Sequence, residues 1–167
     1  MTRVLMVCTG NICRSTMAHQ VLAEAVEAAG LDAQIHVDSA GVSDEERGNP
    51  IDRRAARVLR ENGHDVPDHC ARQVGLHELG EWDLILAMTG HHLAALNRLR
   101  DRAGLRGQDR PDIRLFRDFD PQARPGDMDL PDPWYGDYSD FVETLEVIEG
   151  RKSTRLNSSH TNRSRMP

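Results

Sequence analysis

Short apolar runs along the chain alternate with stretches in which apolar residues recur every three or four positions. Residues 3–8 (Arg-Val-Leu-Met-Val-Cys) are almost continuously apolar and predict a buried strand. Residues 15–29 carry a helical pattern that Gly30 ends, as a residue just past a helix cap. Residues 34–39 alternate and predict a second strand. Residues 52–62 are helical, with Gly63 as the stop. Residues 83–88 (Asp-Leu-Ile-Leu-Ala-Met) predict a third strand. Residues 90–102 form a helix with Leu93, Leu96 and Leu99 along one side. Residues 112–116 predict a fourth strand, and residues 138–149 a helix with Phe141, Leu145 and Ile148 on one face. This alternation predicts one α/β domain, a parallel sheet in three layers with helices on both faces. Such sheets bind ligands at the carboxyl ends of their strands.

The first strand ends in Cys8-Thr9-Gly10-Asn11-Ile12-Cys13-Arg14-Ser15. A nucleophile type and a fixed cation are separated by five residues, where a strand stops and a helix starts. A loop of that size wraps one phosphoryl group. Its backbone N–H groups and the helix dipole favour an anion. Gly10 and Asn11 are the two residue types that best tolerate left-handed backbone. Arg14 offers a planar fork that matches two phosphate oxygens. A helix N-terminus and an arginine also favour a cysteine's thiolate, so one cradle serves both Cys8 and its substrate. Ser15 adds a hydroxyl for the sulfur and is a preferred N-cap type.

Attack by a thiol on an aryl phosphate needs a proton donor for the leaving oxygen. The candidate is Asp132, in Asp132-Pro133-Trp134-Tyr135-Gly136-Asp137, with Asp137 as the alternative. Pro133 and Gly136 mark a loop. It closes the long Pro-, Gly- and Asp-rich connection 117–137, and a connection of that length is usually functional. Trp134 and Tyr135 would wall a slot for an aromatic ring. Asp132 would then act as base on the water that hydrolyses the cysteinyl phosphate.

These segments resemble the low molecular weight protein tyrosine phosphatases. The matching pieces are Cys8 to Ser15, Asp38-Ser39-Ala40-Gly41, Ala71-Arg72-Gln73 after His69, and Asp132 to Asp137, in the family's order over most of residues 1–149. The resemblance implies a flavodoxin-like four-stranded sheet. It implies a cytoplasmic hydrolase acting on tyrosine-phosphorylated proteins and needing neither metal nor cofactor. Cys8 would be the nucleophile, Arg14 the phosphate binder and Asp132 the acid. Thr9, Gly10, Asn11, Ile12, Cys13 and Ser15 would surround the phosphate, and Asn11, Ser39 and His69 would hold the loop in shape. It also implies two alternatives for Cys13: a reversible disulfide partner for Cys8, or a small buried residue. Three departures stand out. Thr16 follows Ser15 where the family has proline. Glu45, with Glu46 after it, stands at a rim position where the family often has tryptophan, which should disfavour acidic phosphopeptides. Thr89 replaces an aspartate after the third strand.

Three other readings remain. Arsenate reductases of this fold relay electrons through further cysteines on a later loop, and the only cysteine left here is Cys70. Arginine phosphatases typically place threonine at the position of Ile12. A non-catalytic phosphate-binding module has no need of both Cys8 and Asp132.

Charge bears on partners. The net charge is −6. Five of the 21 Lys and Arg residues and none of the 27 Asp and Glu residues fall in 151–167, which leaves residues 1–150 with 16 basic against 27 acidic groups, a net −11. That balance does not suit nucleic acid. The apolar run at residues 4–8 is too short for a signal peptide core, and no stretch approaches a membrane span. Three irregularly spaced cysteines suit a reducing compartment. A monomer is expected. Residues 150–167 lose all helical period and turn basic, and are expected to be a disordered, non-native tail beyond a domain of residues 1–149, with the last helix cut short.

Overall fold

The computed structural model describes residues 1–107 and 111–150. The expected tail lies, from residue 151 on, outside the described residues. Four strands and four helices alternate: β1 (Thr2–Cys8), α1 (Arg14–Ala28), β2 (Ile35–Gly41), α2 (Arg53–Glu61), β3 (Leu84–Ala87), α3 (Gly90–Ala103), β4 (Asp112–Leu115) and α4 (Tyr138–Ile148). Short 3-10 turns cover Leu76–Glu81 and Phe116–Phe119. The strands form one parallel sheet in the order β2-β1-β3-β4.

The strand period of two divides β1 between two cores. Val4, Met6 and Cys8 face a cluster that includes Met17 and Val26 of α1, Val58 and Leu59 of α2, and Phe141 and Leu145 of α4. Leu5 and Val7 face the opposite cluster, with Leu79, Trp82, Ile85 and Leu96. Helices on both faces give the expected three layers. Both faces of β1 are therefore apolar, which is why its sequence does not alternate. Among the described residues, no helix is long and apolar enough to cross a membrane.

The structure shifts several boundaries. Residue 52 is outside α2 as its N-cap: the Asp52 carboxylate accepts from the N–H groups of Arg54 and Ala55. Ser15 does not cap α1. Cys13 holds that position without a side-chain bond, and Ser15 lies inside the helix with its hydroxyl committed elsewhere. Gly30 and Gly63 lie just past α1 and α2 with φ of 72° and 84°, as their stop roles require. β2 runs on to Gly41 and so meets the loop that follows β1.

Candidate active site

The loop from Cys8 to Arg14 sits at the carboxyl end of β1, one of the two inner strands of the sheet. Its carbonyls are held from behind. Val42 N–H donates to Cys8 O (2.9 Å), Ser43 N–H to Thr9 O (3.1 Å) and Asp52 N–H to Ile12 O (2.9 Å). The carbonyl of Asn11 takes bonds from His69 Nε2 (2.6 Å) and Thr16 Oγ1 (3.1 Å). None of these donors lines the cleft in front of the loop. A peptide unit is planar and its C=O and N–H point opposite ways. With carbonyls 8, 9, 11 and 12 turned back, the N–H groups of Thr9, Gly10, Ile12 and Cys13 turn forward. That is an anion cradle built from the main chain.

Asn11 holds the bend. It is fully buried and has φ of 63°, alone among the described non-glycine residues. Its side-chain amide donates to Ser15 Oγ (2.9 Å) and Ser39 Oγ (3.0 Å), and its Oδ1 accepts from Arg72 N–H (3.0 Å). Ser39 brings in β2, and His19 Nδ1 lies 3.3 Å from its hydroxyl. Burial holds the His19 ring below the ordinary histidine range, against the opposing pull of Asp38. Gly41 admits the loop at all. A Cβ on it would lie 2.4 Å from Thr9 O and 3.2 Å from Asn11 N.

Cys8 is buried, and its Sγ lies 3.0 Å from Ser15 Oγ. Arg14 is 5 % exposed, and its Nη1 donates to Leu130 O at 3.0 Å. Its Nη2 lies 3.6 Å from the half-exposed carboxylate of Asp132. The cleft holds about 300 Å³ and is lined by Cys8, Thr9, Gly10, Ile12, Cys13 and Arg14 at its base. Asp132, Trp134, Tyr135, Glu45 and Glu46 complete its lining. Arg54 stacks over Trp134, 5.2 Å from the ring centroid, and donates to its carbonyl at 3.0 Å. Tyr135 is 93 % exposed. Burial pushes the Cys13 thiol up, with Asp52 and Cys8 adding to the effect, so it stays protonated beside the cleft. Both Cys8 and Cys13 are free thiols here.

Thus the sequence-predicted residues converge. Cys8, Thr9, Gly10, Ile12, Cys13 and Arg14 line one cleft with Asp132, Trp134 and Tyr135. Asn11 and Ser15, also expected around the phosphate, are buried and outside that lining: Ser15 touches the sulfur, and Ser39 and His69 bond to Asn11. Asp137, the alternative acid, is instead the exposed N-cap of α4, accepting from Ser139 N–H at 3.0 Å. His64 and His69 do not share a site. His64 lies between Glu24 (2.7 Å) and Glu149 (2.6 Å), while His69 bonds the loop. Cys70 is exposed.

Sequence reading missed His92, which the opening of α3 marks as a cap or a solvated residue. It is 1 % exposed, with Nε2 2.8 Å from Thr9 Oγ1 and Nδ1 3.2 Å from Thr89 Oγ1. Burial, with Arg14 adding, pulls its pKa down to about 4, so the ring is neutral behind the loop. Thr89, the unexplained departure, caps α3 by accepting from His92 N–H at 3.3 Å. A Thr three residues before a His in a first helical turn is the one local signal that existed.

The whole arrangement has close relatives. The sequence model of the family described as low molecular weight phosphotyrosine protein phosphatase matches residues 3–164. A low molecular weight protein-tyrosine-phosphatase of Streptomyces coelicolor is 42 % identical over 154 residues, 92 % of this chain and 91 % of that protein. The crystal structure of YfkJ from Bacillus subtilis superposes with a TM-score of 0.75 at 31 % identity, covering 96 % of each chain. That of DARP, a Drosophila arginine phosphatase, gives a TM-score of 0.79 at 26 % identity, covering 99 % of this chain and 100 % of the other. By sequence along nearly its whole length and by fold, the chain belongs to the low molecular weight phosphotyrosine protein phosphatase family.

Proposed function

We propose that the chain hydrolyses phosphotyrosine in proteins, and small aryl phosphates, through a phosphoryl group carried on Cys8. The observation that carries this reading is one cleft lined by Cys8, Arg14 and Asp132, beside a loop whose carbonyls at residues 8, 9, 11 and 12 are bonded to groups outside that cleft. Cys8 Sγ attacks phosphorus in line with the ester oxygen. The S–P bond forms as the P–O bond breaks. The released electron pair stays on the phenolic oxygen, which takes the proton of Asp132. Arg14 and the inward N–H groups hold the three equatorial oxygens. In the second step Asp132, now a carboxylate, takes a proton from a water that attacks phosphorus. The sulfur leaves with the Ser15 hydroxyl beside it. Trp134 and Tyr135 flank the ring of the substrate.

The substrates are tyrosine-phosphorylated proteins, the site of action is the cytoplasm, and the protein works as a monomer without metal or cofactor. Free thiols at Cys8 and Cys13 suit that compartment. Cys13 is kept protonated by its surroundings, which suits a small buried residue while the enzyme turns over. The arginine-phosphatase reading draws on the likeness to DARP. Ile12 in the cleft base, where that activity typically has threonine, favours phosphotyrosine. The experiment is steady-state hydrolysis of an aryl phosphate, a phosphotyrosine peptide and phosphoarginine, with EDTA present, for wild type and Cys8→Ser. Turnover of the two tyrosine-type substrates that survives EDTA and vanishes in Cys8→Ser is the expected result. Binding without turnover, or turnover of phosphoarginine alone, would refute it.

A further inference from the structure

The loop that carries Asp132 has few apolar anchors. From Asp118 to Asp129 no apolar side chain is buried, and Phe119 is 60 % exposed. Leu130 is the first fully buried residue. Something other than a hydrophobic contact must therefore set the path of residues 120–129.

Arg117 occupies that place. It follows β4 within the 3-10 turn Phe116–Phe119 and is 7 % exposed, which is rare for a guanidinium. Nε donates to Asp120 Oδ2 at 3.1 Å, and that carboxylate is equally buried. Nη1 donates to the main-chain carbonyls of Asp127 (2.8 Å) and Asp129 (3.2 Å), and lies 3.5 Å from Asp127 Oδ1. The loop is then passed to three further contacts. Gly90 N–H donates to Asp129 Oδ1 (2.7 Å), Leu130 N–H donates to Met88 O (2.8 Å), and Arg14 Nη1 donates to Leu130 O (3.0 Å). Asp132 is two residues further on.

We propose that Arg117 is a positioning residue for the acid loop: its buried fork grips both ends of the 120–129 excursion and so fixes where Asp132 presents its proton. The fork is needed because a lysine ammonium, a single point of charge, cannot serve Asp120 on one edge and two carbonyls on the other. This rests on the reading of Asp132 as general acid. Loss of proton donation hurts a substrate in proportion to the basicity of its leaving oxygen. Phenyl phosphate depends on the acid strongly, and p-nitrophenyl phosphate, with its far better leaving group, depends on it weakly. A residue that merely stabilises the fold would lower both alike.

The test compares kcat/KM for those two substrates in wild type, Arg117→Met and Asp132→Asn, with the inhibition constant of inorganic phosphate and the melting temperature measured alongside. In Arg117→Met, kcat/KM for phenyl phosphate should fall roughly tenfold more than for p-nitrophenyl phosphate, the scale of a misplaced general acid. Phosphate inhibition should stay within about twofold, because the cradle is untouched. Asp132→Asn should show the same asymmetry, larger. If Arg117→Met fails to fold, Arg117→Lys takes its place and should show the asymmetry in reduced form. A folded Arg117 variant that loses both substrates equally, or neither, overturns the proposal. Asp132→Asn without the asymmetry overturns the acid assignment and takes the proposal with it. Asp132→Asn with the asymmetry and an Arg117 variant without it overturns only the role of Arg117.

Discussion

Replacing Asn11 with alanine removes the side chain that holds the loop. Three hydrogen bonds go, to Ser15, Ser39 and the N–H of Arg72. At roughly 1 kcal/mol each that is about 3 kcal/mol. The alanine must also sit at φ of 63°, a left-handed conformation that costs roughly 1 kcal/mol without a side chain that tolerates it. The total is about 4 kcal/mol. A domain of this size loses roughly 2–4 °C per kcal/mol, so the melting temperature should fall by roughly 8–16 °C. Ser39→Ala removes one of the three bonds together with the contact to His19 Nδ1 and should cost about 1–2 kcal/mol. The double variant should then lose about 1 kcal/mol less than the sum of the singles, because the Asn11–Ser39 bond is counted twice. Thermal unfolding followed by circular dichroism, with and without saturating phosphate, measures all four proteins. An Asn11→Ala melting temperature within about 4 °C of wild type would refute the reasoning, as would strict additivity of the two substitutions.

Gly41→Ala puts a methyl group 2.4 Å from Thr9 O, so the loop must move, and kcat/KM for an aryl phosphate should fall about 100-fold; wild-type turnover would show that the close approach is dispensable. His64 is pulled down by burial, but its bonds to Glu149 and Glu24 outweigh that and hold it above the ordinary histidine value. A raised folded-state pKa stabilises below the unfolded value and is lost as pH rises through the folded one. The gap in melting temperature between wild type and His64→Gln should therefore be widest just below the ordinary histidine value and close as pH rises through the raised one; a gap that widens with pH would contradict this. Glu45→Gln with Glu46→Gln removes two charges from the cleft wall and should lower KM for a phosphotyrosine peptide with acidic flanks by roughly fivefold at low salt, an effect that shrinks as salt is added.

Much of this architecture was legible because its causes are local. The apolar run of β1, the i, i+4, i+7 face of α4 and the glycines after α1 and α2 each depend on neighbours within a few positions. The loop was legible because its residue types are nearly dictated by its chemistry. What was hidden depends on pairing across the chain. His92 meets Thr9 across 83 positions and Asn11 meets Arg72 across 61, and no period encodes either. Arg117 reads as one more surface charge until the path of residues 120–129 is known. Ser15 reads as a cap by its type, yet the sulfur of Cys8 claims its hydroxyl. Asp52 reads as the first residue of a helix, and only the N–H groups of Arg54 and Ala55 reveal it as the cap.

The central claim is that phosphorus passes through Cys8. Enzyme turning over a phosphotyrosine peptide, quenched rapidly in acid, digested and read by mass spectrometry, tests it directly. The account predicts one phosphoryl group on the peptide bearing Cys8, gone in Cys8→Ser. A label on any other residue, or none during rapid turnover, would contradict it.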